Sequence, residues 1–167
     1  MYAAGILPFC YIKGSLWFLL GEEDKTQEFS DFGGLKMDGD TDVVDTAIRE
    51  FTEETYGMIL DKDYLYNVLK TSKCIKCDSR NEWTRYYMFL VEISYNELLP
   101  IYFKRAINFQ KYLKTRGFIS NFRCEKTDIR WINAENFFDN NSLRFRDMFL
   151  HTIRSNREEI MDPYLKL

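Results

Sequence analysis

Three glutamates carry the first chemical signal in this chain. Glu50, Glu53 and Glu54 stand at i, i+3 and i+4 in a stretch whose apolar residues recur with a helical period. At about 100° per residue the three carboxylates share one side of a helix. Like charges one turn apart oppose helix formation by roughly 0.2–0.5 kcal/mol a pair. A hard divalent cation removes that penalty, because it takes oxygen ligands and keeps waters that phosphate oxygens can displace. Just upstream, Gly33, Gly34 and Gly39 allow tight turns and a close approach of backbone to a ligand. An acidic helix face or a glycine pair alone is commonplace. In this order they point to metal-assisted phosphate chemistry.

Several elements must position these residues. Strands are expected at 2–12 and 16–20, joined by Lys13-Gly14-Ser15, then a short strand at 29–32 running into the glycines. A helix follows at 42–55: Val44, Ala47, Ile48 and Phe51 form one apolar stripe, Asp42 caps the start, and Gly57 closes the end in a left-handed conformation. Beyond it, 64–75 and 82–94 read as strands. Pro100 opens a helix at 101–116 that Gly117 closes, strands follow at 118–124 and 128–132, and a last helix spans 142–159. The pattern predicts an α/β (α+β) fold, a mixed sheet sandwiched by helices in one domain over 1–167, with 101–116 as an inserted basic helix.

The stretch from Gly34 to Gly57 resembles the Nudix box, G-x5-E-x7-R-E-U-x-E-E-x-G-U, where U is bulky and aliphatic. Gly34 matches its first glycine; Arg49, Glu50, Phe51, Glu53 and Glu54 match the R-E-U-x-E-E core. The chain departs from the box in three places. Asp40 replaces the first glutamate, the gap from Asp40 to Arg49 is one residue longer, and Tyr56 is inserted before Gly57. The resemblance implies a Nudix hydrolase that cleaves a pyrophosphate bond. Glu50, Glu53 and Glu54 would hold Mg²⁺ or Mn²⁺, and Arg49 would orient a carboxylate. The general base lies either on the glutamate helix or on a later loop; family members often draw it from the segment before the final strand, where Glu125 stands. Lys36 is a candidate phosphate contact, and Glu22 and Glu23 read as plain loop carboxylates. The alternative is a Nudix-fold module that binds nucleotide or RNA without hydrolysis.

Charge is spread unevenly. Residues 1–60 hold 12 acidic and 4 basic side chains, and residues 61–126 hold 7 and 13. That division suits a protein holding metal with one region and phosphate with another. Along 101–116, Lys104, Asn108 and Lys111 fall at i, i+4 and i+7, a face able to grip RNA or a polyphosphate. The box flanks are loosely similar to mRNA-decapping enzymes and diphosphoinositol polyphosphate hydrolases. A cap-binding clamp would call on aromatic walls such as Trp17, Tyr86 and Tyr87. Dinucleoside polyphosphates and nucleotide sugars stay open as substrates.

With 46% apolar residues the chain can bury a proper core, which excludes a disordered chain. No signal peptide or membrane span is read, so a cytoplasmic protein is expected. Cys74-Ile-Lys-Cys77 has CxxC spacing without a second pair, so reduced thiols are expected over zinc.

Overall fold

The computed structural model of the chain describes residues 1–78, 84–139 and 143–164. Among them, seven strands form one mixed sheet around β1 (Tyr2–Ile12). β1 pairs antiparallel with β2 (Ser15–Glu23) and β4 (Phe32–Leu35), and parallel with β6 (Arg85–Glu92). β5 (Lys73–Asp78) extends the sheet beyond β6, while β3 (Phe29–Ser30) and β7 (Lys126–Asn133) both pair antiparallel with β2. Lys13 and Gly14 both take positive φ, 51° and 82°, as a tight two-residue hairpin requires.

Alternation along β1 feeds two cores. Leu7 and Phe9 join Phe18, Leu20 and Met88 under α4 (Ala134–Asp139), α5 (Asp147–Ser155) and α6 (Arg157–Met161), through Phe137, Phe149 and Ile160. Ala4 and Ile6 join Leu19, Phe32 and Ile129 on the opposite face. There α1 (Val43–Thr55) supplies Ala47, Ile48 and Phe51, α2 (Lys62–Val68) supplies Leu65, and α3 (Leu99–Thr115) supplies Phe103 and Ile107. Each large side chain fully buried this way contributes about 1.5–3 kcal/mol. The expected single-domain sandwich is what forms.

Four expected elements differ. The single strand at 29–32 is two: β3 pairs with β2, and β4, which holds Phe32, pairs with β1. Residues 64–75 are not one strand: Asp61 caps α2 by accepting from the N–H groups of Asp63 and Tyr64, and β5 starts only at Lys73. A side-chain cap plus Leu65 and Leu69 on one face outweighs the strand-like composition. Residues 118–124 pair with no strand, and Phe118 is 73% exposed. The last helix is interrupted at Asn156 (φ −124°, ψ 32°), so α5 and α6 replace it; its expected start at Ser142 lies outside the described residues, as do 82 and 83 of the expected 82–94 strand.

Candidate active site

The site is built where α1 lies across β4. Asp42 opens the helix by accepting from the N–H groups of Val44 and Asp45, and the apolar stripe fixes its rotation on the sheet. Glu50 and Glu54 therefore face the glycine strand. Gly33 and Gly34 lie within β4, paired with Gly5 and Ala4, and do not form the expected turn. Their value is space: the Glu50 carboxylate comes within 2.6 Å of where a Cβ on Gly34 would stand.

Arg49 is the brace. Its Nε and Nη2 grip Asp40 at 3.0 and 2.9 Å, Nη1 donates to Glu50 at 2.8 Å and Glu53 at 3.1 Å, and Nη2 also reaches the carbonyl of Leu35 at 2.9 Å. This fork holds the Asp40 carboxyl well below the usual carboxylate range. Asp40 also accepts from the Met37 N–H and the Thr46 hydroxyl, so it fastens the loop to the helix.

Glu54 is 4% exposed. Its Oε2 accepts the Gly33 N–H at 2.9 Å, and its Oε1 lies 3.5 Å from the ammonium of Lys126. Burial pushes its carboxyl up to about 8, against the pull of Lys126. Glu50 is raised by burial too, with Arg49 opposing. In both, burial outweighs the pull of the neighbouring cation.

A cleft of 370 Å³ opens here, lined by Gly33, Gly34, Glu50 and Glu54 together with Glu23, Asp24, Glu28, Arg123, Glu125 and Arg146. Glu125 thus joins the helix carboxylates. Its backbone N–H donates to the Tyr56 hydroxyl at 2.9 Å, and its carboxylate meets Arg123 at 3.2 Å. Tyr56 ends α1 in the left-handed conformation expected of Gly57 (φ 55°), and Gly57 follows it there (φ 65°). The inserted tyrosine therefore ties the end of the glutamate helix to the Glu125 segment, with its ring against Phe103 and Phe122.

Glu53 stays at the rim, half exposed and paired with Arg49, and does not line the cleft. Lys36 is exposed, with its ammonium 5.6 Å from the Tyr2 ring centre. Lys104 pairs with Asp128 at 3.6 Å and Lys111 with Asp24 at 3.1 Å, so neither presents a free charge. Trp17, Tyr86 and Tyr87 do not line the cleft; Tyr86 is buried and donates to Asp31 at 2.6 Å. Glu23 is no plain loop carboxylate: it lines the cleft and pairs with Lys126 at 2.7 Å. All four cysteines are unpaired.

Among the described residues, no three His, Cys, Asp or Glu side chains converge tightly enough to hold an ion. Arg49 and Lys126 engage the cleft carboxylates instead. The donor chemistry nonetheless fits Mg²⁺ or Mn²⁺: Glu50, Glu54 and Glu125 are hard oxygen donors on one cleft, with Glu53 beside them.

No family model matches the chain. An uncharacterised protein of Acanthamoeba polyphaga mimivirus, L534, is 36% identical over 58 residues, which make up 32% of this chain and 19% of that relative. Solved structures align along nearly the whole chain. The Nudix domain of Shewanella oneidensis NrtR, complexed with ADP ribose, superposes with a TM-score of 0.57 at 14% identity, covering 96% of this chain and 88% of that one. A Caenorhabditis elegans Ap4A hydrolase gives 0.54 at 13% identity, covering 95% and 96%. A bifunctional NMN adenylyltransferase/ADP ribose pyrophosphatase from Francisella tularensis gives 0.59 at 18% identity, covering 95% of this chain and 40% of its own. At these identities the likeness is one of fold, and the fold is that of the Nudix hydrolases.

Proposed function

We propose that this protein is a divalent-metal-dependent hydrolase of pyrophosphate bonds in nucleoside diphosphate derivatives, acting in the cytoplasm, the compartment that its unpaired cysteines suit. One observation carries the reading: Glu50 and Glu54 project from one helix face and meet Glu125 across a cleft walled by Gly33 and Gly34. Glu50, Glu53 and Glu54 would hold Mg²⁺ or Mn²⁺. A bound ion supplies charge neutralisation at the phosphate oxygens and a more acidic water. The protein's own groups do the rest. Arg49 fixes the direction of Glu50 and Glu53. Glu125, held by Tyr56, takes the proton of the attacking water. Arg123 and Arg146 on the cleft wall, now paired with Glu125 at 3.2 Å and Glu23 at 3.6 Å, would turn to phosphate oxygens when substrate enters.

ADP ribose and Ap4A, named for two proteins of this fold, both carry bridged phosphates, which supports a nucleotide ligand. Capped RNA is the finer reading, favoured by α3. Residues 98–124 hold six basic side chains and no acidic one. Tyr102, Phe109 and Tyr112, at 53%, 59% and 52% exposure, share a side with Arg105 and Arg116. Such rings and guanidinium groups suit stacked bases and phosphates, and Lys111, bound to Asp24 of the cleft wall, links this helix to the site. Lys36 and Lys104 would add charge only once freed from their present partners.

The test is hydrolysis of capped RNA, a dinucleoside polyphosphate, ADP-ribose, a nucleotide sugar and a diphosphoinositol polyphosphate with Mg²⁺ or Mn²⁺. Wild type should cleave one class only with metal, and Glu53→Gln should lose about 100-fold or more. The engagement of Glu50 and Glu54 by Arg49 and Lys126 favours a second reading, a nucleotide-binding module. Nucleotide binding with no cleavage of any panel member would decide for it.

A further inference from the structure

A buried ammonium is costly unless oxygens surround it. At Lys126 four of them do. Its Nζ donates to Glu23 Oε1 at 2.7 Å, Ser30 Oγ at 2.7 Å and the Asp31 carbonyl at 3.3 Å, and stands 3.5 Å from Glu54 Oε1. The side chain is 0% exposed. It approaches from beneath the cleft, which Glu23 and Glu54 line and Lys126 does not.

Two backbone features bring it there. The β2–β7 pairing shifts register between Glu22 and Glu23: Glu22 pairs with Asp128 and Glu23 with Lys126, leaving Thr127 over. Such a bulge re-aims the side chain beside it. Gly21 keeps the route open, since a Cβ there would stand 2.9 Å from both Lys126 Cδ and the Phe32 ring.

A divalent ion seeks the same kind of surroundings. It needs carboxylate oxygens drawn in to about 2.1 Å for Mg²⁺, a short movement for unbranched glutamates now at ammonium distance. We propose that Lys126 is a built-in cation of the cleft, its ammonium holding the place between Glu23 and Glu54 that a divalent ion would otherwise take. The proposal rests on reading the cleft as a divalent-metal site. The protein then binds one divalent ion fewer than its carboxylates would accept. Glu54 Oε1 is given to the ammonium and Oε2 to the Gly33 N–H. The exchangeable ion is left with Glu50, Glu53 and the remaining lone pairs of Glu54. An ammonium cannot be chelated away, so this part of the site keeps its arrangement in metal-free buffer.

The experiment counts bound Mn²⁺ without substrate, from the loss of the free-ion electron paramagnetic resonance signal at pH 7.5. Lys126→Ala should bind one Mn²⁺ more than wild type, Lys126→Arg should match wild type, and Lys126→Ala combined with Glu23→Gln should lose the added ion. No gain in Lys126→Ala overturns the proposal. Should Lys126→Ala not fold, Glu23→Gln alone decides. It should keep the wild-type count, because an ammonium rather than an ion stands at Glu23, and a lower count overturns the proposal. These counts require no turnover. A wild type that binds Mn²⁺ but cleaves no pyrophosphate would defeat the hydrolase reading and leave the inference about Lys126 to its own result.

Discussion

The two ends of the sheet differ in a way that separates size from chemistry. At the end where β1 and β6 finish, a broad cleft of 1180 Å³ is lined by Phe9, Cys10, Tyr11, Tyr64, Cys74 and Tyr164, among others. Two of its thiols and one phenol are set against ionising: burial pushes Cys10 and Cys74 up to about 11, and the hydrogen bond to Glu92 pushes Tyr164 up to about 12. At the other end, where β1 begins beside β4, the cleft is 370 Å³. There burial lifts Asp31 to about 6 and Glu54 to about 8, Arg49 holds Asp40 low, and a fully buried lysine stands among carboxylates. Groups poised near neutral pH, beside cations and a glycine wall, favour this end as the proposed active site. The larger concavity holds thiols and phenols that stay neutral there.

The largest expected effect breaks this contrast if it fails. Lys126→Ala leaves Glu23 and Glu54 without their common cation and should cost about 3–5 kcal/mol in chelated buffer. At this chain length that lowers the melting temperature by roughly 6–20 °C. Tyr11→Phe at the far end, where Tyr11 is 42% exposed, should stay within about 0.5 kcal/mol. Comparable losses in urea denaturation would dissolve the distinction between the ends.

The next effect is on pH dependence. A carboxyl raised in the folded state binds its proton more tightly there than when unfolded, so its contribution is present at low pH and is lost as pH rises towards the folded value. Asp31 acts between its ordinary 3.8 and about 6, and Glu54 between 4.5 and about 8. Metal-free protein should therefore lose stability from about pH 5 to 8, by at most about 1.4 kcal/mol per pH unit for each group. Glu54→Gln should flatten the fall above pH 6. Cys74→Ala should not change its slope, because that thiol titrates between 9 and about 11. Urea midpoints at pH 5, 6.5 and 8 make the comparison, and a rising or flat wild-type profile counts against it.

The smallest effect sharpens the role of Tyr56. Tyr56→Phe removes the acceptor for the Glu125 N–H while keeping the ring against Phe103 and Phe122. One such hydrogen bond contributes about 1 kcal/mol, so kcat should fall about fivefold with KM little changed. A change confined to KM would mean that the tyrosine serves substrate binding.

What the sequence revealed of this site was local. Asp42, the apolar stripe and the Glu50–Glu53–Glu54 spacing all lie within a few turns of one helix, and the β1–β2 hairpin is set by Lys13 and Gly14. The rest depends on partners far along the chain. Lys126 turns inward only because β7 bulges against Glu22 and Glu23, which breaks the alternation that strand reading relies on. Gly34 looks like a turn former until Glu50 is packed against it. Tyr56 reads as an insertion until its hydroxyl meets a backbone 69 residues away. The 64–75 strand fails for the opposite reason, since a purely local Asp61 cap outweighs a strand-like composition.

The most direct test measures Mn²⁺-dependent cleavage of the best panel substrate by wild type, Glu50→Gln and Glu92→Gln. Glu50 stands in the small cleft and Glu92 in the large one. Glu50→Gln should lose about 100-fold or more in kcat while Glu92→Gln stays within about twofold. Full activity in Glu50→Gln, or a matching loss in Glu92→Gln, would contradict that.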